Sequence, residues 1–337
     1  MNSTTNSGLV LQGVRKAFRN IVAVDDLTFT VPRGSMFGLL GANGAGKTTT
    51  LRMVLNILSV DAGTISWNGV PSTHVPRSTF GYLPEERGLY LKMKVGEELV
   101  FLSSLYGLST AEATKRAHDW LERLSLGDAW NRKVEELSKG NQQKVQVLAA
   151  ILHEPDLMLM DEPFSGLDPI NTEVLRDTLV QRQRAGRTIV FSSHRLEQVE
   201  ELCDYVAIIH KGRLLTTGLI SDLKRGSGRR MVEMDFASAN GQPANMEAFV
   251  AALKPLNLPI RERRADSLRL EMQPGVKTDD ILAIALSSGP GQVRRFELEE
   301  PSLQEIFIDA VQKSDPAAVQ ELVAEGSLPG GKVLTEG

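Results

Sequence analysis

One glycine-rich octapeptide, Gly41-Ala-Asn-Gly-Ala-Gly-Lys47-Thr48, restricts the fold of this chain more than any other feature. It follows an almost entirely apolar segment, Ser35–Leu40, and it opens a helical pattern at Thr49–Ile57. A short apolar run before a turn is typical of a strand buried on both faces of a parallel sheet. Strand, glycine-rich turn and helix in succession therefore predict a phosphate-binding loop in an α/β fold.

The residue types in this loop suit phosphate binding. Its glycines permit backbone conformations and close approaches that a Cβ would block, so N–H groups can turn toward phosphate oxygens at a positive helix end. Lys47 is expected to reach the β- and γ-phosphates, and the Thr48 hydroxyl to ligate Mg²⁺. The residues predicted to bind nucleotide here are Gly41, Asn43, Gly44, Ala45, Gly46, Lys47, Thr48 and Thr49.

A second apolar strand, predicted at Leu157–Asp161, ends in the carboxylate pair Asp161 and Glu162. Ligands of α/β sheets bind at the carboxyl ends of the strands. Asp161 is therefore expected to hold Mg²⁺, and Glu162 to act as general base toward the attacking water. His194 follows the predicted strand Thr188–Ser192 and is expected to hydrogen-bond a γ-phosphate oxygen. Without the phosphate loop, the acidic pair and the histidine would indicate only helix caps.

The composition bounds the class of protein. A chain of 337 residues is long enough for two domains, and its net charge of -4 exerts no general attraction for nucleic acid. The single cysteine, Cys203, excludes an internal disulfide and fits a reducing compartment. The polar N-terminal residues lack a signal-peptide pattern, and no apolar run is long enough to span a membrane. We predict a cytoplasmic protein without a nucleic-acid partner.

Alternating strand and helix patterns organise the chain into an α/β domain with a helical insertion, followed by a small α+β domain. The second domain has the element order strand, helix, strand, strand, helix, strand, which predicts a ferredoxin-like fold. The predicted segments are a disordered N-terminus (1–8), the first domain (9–223) with its helical subdomain (about 86–137), a linker (224–230), the accessory domain (231–313) and a largely disordered tail (314–337).

The segment Leu137-Ser-Lys-Gly-Asn-Gln-Gln-Lys144 resembles the LSGGQ signature of ABC ATPases. Ser165–Asp168 is similar to the D-loop of that family, and His194 to its switch histidine. Together with the phosphate loop and the acidic strand, these motifs stand in the family's order. The resemblance implies an ABC-type P-loop NTPase that uses ATP and Mg²⁺.

The resemblance further implies a head-to-tail dimer, in which each ATP lies between the phosphate loop of one chain and the signature of the other. Ser138 and the N–H of Gly140 would then contact the γ-phosphate across the interface, near Asp168 of the D-loop. Phe18 is similar to the aromatic residue that stacks on adenine, with Val24 beside it.

Two departures from the family pattern concern the signature and the Q-loop. Lys139 and Asn141 replace the usual Gly and Gln, whereas Ser138 and Gly140 are retained. Glu85 stands where the family's Q-loop carries Gln. A carboxylate can ligate Mg²⁺ but cannot donate an N–H. Glu85 is therefore expected to take the glutamine's role toward metal and membrane partner.

Gly81–Tyr90, the signature segment and Glu300–Phe307 together resemble the ATP-binding subunits of sodium-efflux-type ABC exporters, which carry a small C-terminal accessory domain. This implies an ATPase on the cytoplasmic face of the membrane that drives a separate permease. It would work as a homodimer or as a heterodimer with a similar ATPase.

Two other functions were weighed. A soluble ABC ATPase acting on DNA, ribosomes or metal-cluster assembly is less favoured, because the chain has neither a long coiled-coil insertion nor a second ATPase unit. A binding module without hydrolysis is disfavoured by the complete set Lys47, Asp161, Glu162 and His194. In the C-terminal domain, a cation-sensing role for Glu262, Asp266 and Glu271 is less expected than a solvated acidic face.

Overall fold

The computed structural model describes residues 8–86, 88–238 and 246–316. These fall into two compact units, one reaching Ile220 and including Ser314–Pro316, the other taking Ser221–Lys313. The segments predicted to be disordered, residues 1–8 and 314–337, lie outside the described residues except for Gly8, which starts a strand, and Ser314–Pro316. In the described part of the chain, no helix is long and apolar enough to cross a membrane.

The first unit is built around a six-stranded sheet of order β10-β9-β3-β8-β7-β6, parallel except for β10. Its central strands are wholly buried, which explains their almost continuous apolar sequence. The strands are β3 (Met36–Leu40), β6 (Phe80–Leu83), β7 (Leu157–Asp161), β8 (Thr188–Ser193), β9 (Tyr205–His210) and β10 (Arg213–Leu219).

An antiparallel sheet of order β2-β1-β4-β5 belongs to the same unit. Its strands are β1 (Gly8–Phe18), β2 (Ile21–Pro32), β4 (Ala62–Trp67) and β5 (Val70–Pro71). Strand β4 mixes glycine, threonine and serine with its apolar residues, so its sequence alone does not indicate a strand. Buried side chains of this sheet, of the central strands and of helix α1 form one hydrophobic core.

Helices of the first unit connect the parallel strands. Those between β6 and β7 are α2, α3 and α4, and α4 carries the signature segment. The helix bounds are α1 (Lys47–Val54), α2 (Val95–Ser104), α3 (Thr110–Arg123), α4 (Lys139–Ile151), α5 (Pro169–Arg184) and α6 (Leu196–Leu202). Helix α7 (Ile220–Gly226) begins at the last residue of the first unit, and its other residues belong to the second. Helix α7 includes the first residues of the segment predicted as a linker.

The second unit has one antiparallel sheet of order β12-β13-β11-β14. Two helices alternate with these strands, and a third follows them. Buried residues of the strands and of α8 and α9, among them Val232, Phe236, Phe249, Leu268 and Ile281, form its core. The elements are β11 (Met231–Ser238), α8 (Met246–Leu253), β12 (Ile260–Arg263), β13 (Ser267–Glu271), α9 (Thr278–Ser288), β14 (Gly291–Glu299) and α10 (Leu303–Ser314).

Candidate functional site

The loop between β3 and α1 has the backbone that its glycines predict. Gly46, the residue before α1, has φ +104°, and a Cβ there would lie 2.5 Å from the Ala23 carbonyl oxygen. A Cβ on Gly41 would lie 2.4 Å from the Ile209 carbonyl oxygen. Residues with side chains could not replace these glycines without moving backbone atoms, so the loop depends on them.

Beside this loop lies a cavity of about 290 Å³, which opens at the carboxyl ends of the parallel strands. It brings together the loop, the two carboxylates after β7 and Glu85, which come from three separate parts of the sequence. The residues lining the cavity are Ala23, Asn43, Gly44, Gly46, Lys47, Thr48, Thr49, Glu85, Asp161 and Glu162. Ala23 is the one lining residue that sequence analysis missed, because an alanine in a strand carries no chemical signal.

Lys47 reaches from the first turn of α1 back across the loop. Its Nζ donates hydrogen bonds to the carbonyl oxygens of Gly41 (2.7 Å) and Ala42 (3.2 Å) and lies 3.6 Å from Glu162 Oε1. Burial lowers the pKa of the amine, while the charges of Glu162 and Asp161 act in the opposite direction. The lysine is thus a desolvated cation held between the loop and the carboxylates.

Asp161, at the end of β7, is 1% exposed. Its Oδ1 accepts a hydrogen bond from Ser192 Oγ at 2.5 Å, while its buried Oδ2 has no hydrogen-bond partner among the described residues. An orphaned carboxylate oxygen beside a cavity that also holds the Thr48 hydroxyl fits a magnesium ion. The described residues contain no cluster of three carboxylate, histidine or cysteine ligands, so phosphate and water oxygens would complete the coordination.

Glu162 is the next residue, and its backbone is unusual. Its φ of +48° is left-handed, a conformation that costs non-glycine residues free energy and that often occurs at functional sites. Its Oε1 lies 2.9 Å from His194 Nδ1, and this is the same oxygen that faces Lys47. The structure therefore brings together the three side chains predicted to be catalytic.

Glu85 lies in the loop after β6, and the helix α4 contacts that loop. The Gln146 side-chain amide donates to the carbonyl oxygens of Pro84 (3.1 Å) and Glu86 (3.2 Å), one on each side of Glu85. Gln143, one turn earlier, donates to the carbonyl oxygen of Pro163 at 3.1 Å, directly after Glu162. Neither glutamine was predicted from the sequence, although polar residues on a mostly buried helix are a recognisable signal.

Ser138 and Gly140 stand at the N-terminus of α4 and are not among the residues that line the cavity. The exposed Ser138 hydroxyl accepts from the Asn141 N–H at 3.3 Å and so caps the helix. A Cβ on Gly140 would lie 2.7 Å from Asn171 Nδ2, and Asp168 caps α5 through Asn171 N. The signature and D-loop residues thus meet each other but stay apart from the cavity of their own chain.

Phe18 and Val24 are also absent from the cavity lining. Phe18 ends β1 and is 43% exposed, with Lys16 Nζ 5.6 Å from its ring centroid. Val24 is fully buried in the hydrophobic core, since side chains alternate along β2, and Ala23 faces the cavity instead. The Val24 side chain, which was predicted to contact nucleotide, therefore does not face the cavity.

In the second unit, the three carboxylates considered for cation sensing are dispersed. Glu262 and Asp266 are exposed, and Glu262 pairs with Arg264. Glu271 is only 7% exposed and pairs with both Arg229 and Arg261, so the expectation that it belongs to a solvated face is wrong. Its burial comes from its place at the end of the central strand β13, which the sequence does not reveal.

Comparisons with known proteins identify the family of the chain. Residues 24–165 match the family described as ABC transporter, and residues 218–311 match the C-terminal domain of DrrA1-3-like ATP-binding proteins. The chain is 45% identical, over 303 residues, to the uncharacterized ABC transporter ATP-binding protein YhaQ of Bacillus subtilis; the match covers 90% of this chain and 98% of YhaQ.

Two further similarities extend the comparison. The chain is 31% identical over 335 residues to the daunorubicin/doxorubicin resistance ATP-binding protein DrrA of Streptomyces peucetius, covering 96% of this chain and 100% of DrrA. A solved structure of an ATP-binding subunit of an ABC transporter superposes with a TM-score of 0.62 at 34% identity. That likeness covers 66% of this chain and 94% of the solved chain.

Proposed function

The chain belongs to the ABC transporter ATP-binding proteins, and we propose that it hydrolyses Mg-ATP to drive a separate integral-membrane permease, as an exporter. Nucleotide binding and ATPase activity follow from the family itself. The observation that carries the proposed hydrolysis is the cavity in which Lys47, Glu85, Asp161 and Glu162 meet.

In this proposal, each residue of the cavity has a separate task. Lys47 binds the β- and γ-phosphates, Glu162 takes a proton from the attacking water, and His194 both orients Glu162 and binds a γ-phosphate oxygen. Thr48 and Asp161 hold Mg²⁺, with Glu85 at the edge of the same site. The ion, when bound, neutralises negative charge on the phosphate oxygens.

We further propose that two chains pair head to tail and close around ATP, with a second copy or a similar ATPase as the partner. Support comes from Ser138, which is exposed at the N-terminus of α4, and from Gly140 in the first turn of that helix; neither residue lines the cavity of its own chain. A helix N-terminus favours phosphate, so the signature of one chain suits the cavity of another. Ile170, beside the D-loop, is 77% exposed and would be covered in such a pair.

The permease is proposed to bind near the Glu85 loop on the cytoplasmic side of the membrane. Support comes from four exposed apolar side chains, Tyr90, Leu91, Phe101 and Leu105, of which Tyr90 and Phe101 contact each other edge to face. Exposed apolar side chains that contact each other mark interaction sites. Export is favoured over import because DrrA bears a name for drug resistance; action on DNA, ribosomes or metal-cluster assembly has no comparable support.

The finer fold assignments are also proposals. Helices α2 and α3 are interpreted as a helical subdomain inserted between β6 and β7. The second unit is interpreted as ferredoxin-like, because its strands and helices alternate in the expected order and its antiparallel sheet has the order β12-β13-β11-β14. Its proposed role is dimerisation or stabilisation of the subunit.

The decisive experiment combines hydrolysis with assembly. The Glu162→Gln variant is expected to bind ATP, to lose turnover, and to sediment as a closed dimer when Mg-ATP is present. Wild-type protein, which hydrolyses the bridging nucleotide, should remain largely monomeric under steady turnover. A variant that stays monomeric with saturating Mg-ATP would refute dimer closure. Failure of the chain to co-purify with any co-expressed candidate permease would refute the transporter assignment.

A further inference from the structure

Ser192 lies at the end of β8, opposite Asp161 of β7 in the register of the parallel sheet. It is fully buried, yet it carries a hydroxyl among largely apolar neighbours. We propose that Ser192 is a positioning residue for ATP hydrolysis, which fixes the metal-binding oxygen of Asp161 and the backbone of Glu162 through one hydroxyl group.

The hydroxyl group makes two hydrogen bonds with opposite roles. Ser192 Oγ donates to Asp161 Oδ1 at 2.5 Å and accepts from the Glu162 N–H at 3.1 Å. Because an ionised carboxylate only accepts and a backbone N–H only donates, these directions are fixed. The short bond to a charged acceptor belongs to the stronger class of hydrogen bonds. One side chain therefore joins the two adjacent functional carboxylate residues.

For Asp161, this arrangement distinguishes the two carboxylate oxygens. Oδ1 is occupied by Ser192, whereas Oδ2 is buried and has no partner in the described part of the chain. The hydroxyl thus prevents the carboxylate from rotating and leaves Oδ2 available to a cation in the cavity. Without it, both oxygens would lose their fixed orientation in a site where unpaired polar atoms are costly.

For Glu162, the same hydroxyl supports a strained backbone. The φ of +48° is unfavourable for a residue with a side chain, so it persists only where surrounding bonds impose it. The Glu162 N–H has a second acceptor, the Ser192 carbonyl oxygen, but at a longer 3.3 Å. Loss of the hydroxyl would leave the backbone of the general base less tightly held.

The neighbouring Ser193 provides a matched control. It is also buried, on the same strand, but its hydroxyl accepts from the Arg195 N–H at 3.0 Å, and it has no described bond to Asp161 or Glu162. Ser192→Ala and Ser193→Ala remove the same atom one residue apart. A general effect on the strand should appear in both variants, whereas a positioning effect should appear only in the first.

The test, which rests on the proposed hydrolysis, measures two quantities in the full chain. Ser192→Ala is expected to lower kcat about tenfold and to raise the Mg²⁺ concentration for half-maximal activity several-fold. Binding of a fluorescent ATP analogue in EDTA should be unchanged, while the gain in affinity on adding Mg²⁺ should shrink. Ser193→Ala should match wild type in both measurements.

Equal behaviour of the two serine variants would overturn the proposal, as would a Ser192→Ala effect limited to nucleotide binding in EDTA. Glu162→Gln serves as the reference for the proposed function. If Glu162→Gln loses turnover while Ser192→Ala keeps it, only the role of Ser192 fails. If Glu162→Gln also turns over normally, the proposed hydrolytic site itself fails.

Discussion

Glu162 and Glu271 are glutamates buried to nearly the same degree, 8% and 7% exposed, in different units of the molecule. Glu271 is enclosed by two arginines: Arg229 Nε lies 3.1 Å from Oε1, and Arg261 Nε donates to Oε2 at 2.8 Å. Glu162 instead has a left-handed backbone conformation and borders a cavity. Its Oε1 contacts both Lys47 and His194. Burial alone thus does not identify a reactive carboxylate. The groups that contact the carboxylate, and the cavity beside it, distinguish Glu162 from Glu271.

The two units also differ in how their buried polar groups are paired. At the strand ends of the first unit, buried polar groups remain partly unpaired, such as Asp161 Oδ2. In the second unit, the buried Glu271 carboxylate has both of its oxygens paired with arginines. Unpaired buried groups cost stability and are retained where a ligand uses them, whereas paired ones stabilise the fold. Four substitutions test this distinction.

Lys47→Ala should have the largest effect. Removing the cation that contacts both the loop carbonyls and Glu162 is expected to reduce ATP turnover by at least about 100-fold, because the phosphates lose their charge-assisted contact. Turnover and fluorescent-nucleotide binding are the measurements. The exposed Lys92→Ala variant is the control and should behave as wild type. Unchanged turnover in Lys47→Ala would refute the assignment of the site.

Glu271→Gln should affect stability but not catalysis. The variant leaves two arginines without their shared carboxylate, and because both are partly exposed, we expect a loss of about 1–2 kcal/mol in the free energy of unfolding of the second unit. Denaturant unfolding measures this, and ATP turnover should be unchanged. The exposed Glu262→Gln variant should alter neither quantity. A loss of turnover without a loss of stability would contradict a purely structural role.

Glu85→Ala should have an intermediate effect on the site. If Glu85 contributes to metal binding, the variant should need several-fold more Mg²⁺ for half-maximal hydrolysis, because one oxygen ligand is lost. Glu85→Gln, which keeps an oxygen at the same place, should need less than Glu85→Ala does. Its neighbour Glu86 is exposed, and Glu86→Ala is the control. Equal Mg²⁺ dependence and transport in wild type and Glu85→Ala would exclude the role.

Phe18→Ala should have the smallest effect. The ring lies outside the described cavity, so stacking on adenine would add about 1 kcal/mol or a few-fold in ATP affinity. Titration with ATP and with GTP measures both the loss and any change in base preference. Ile21→Ala, at the paired position across the same hairpin, is the control. Equal ATP affinity in both variants and in wild type would refute stacking of Phe18 on adenine.

Sequence reasoning predicted the parts of the site that lie within short motifs. The phosphate loop could be predicted because Gly41, Gly46 and Lys47 encode their backbone and charge locally. The strand Leu157–Asp161 was predicted at its observed bounds, since a wholly buried parallel strand is apolar throughout. The resemblance to ABC ATPases, which rested on these motifs and the signature, is confirmed by the family and sequence comparisons.

Other residues were beyond prediction because their contacts join distant parts of the chain. Val24 was predicted to contact nucleotide, whereas its neighbour Ala23 lines the cavity, because side chains alternate between the two faces of β2. Gln146 reaches the Glu85 loop across more than fifty residues. Such contacts depend on how α4 packs against the sheet, which no local pattern specifies.

The family, the phosphate loop and the succession of the strands that precede Glu162 and His194 can be inferred from the sequence alone. The contacts of Glu162 with Lys47 and His194, and the position of Ser192 opposite Asp161, emerge only when the chain is folded. The physical reason is that a motif fixes the conformation of its own residues, whereas the alignment of β7 with β8 follows from burying both strands in one core. The common burial of the two strands sets their register, and this register places Ser192 beside Asp161 in the site.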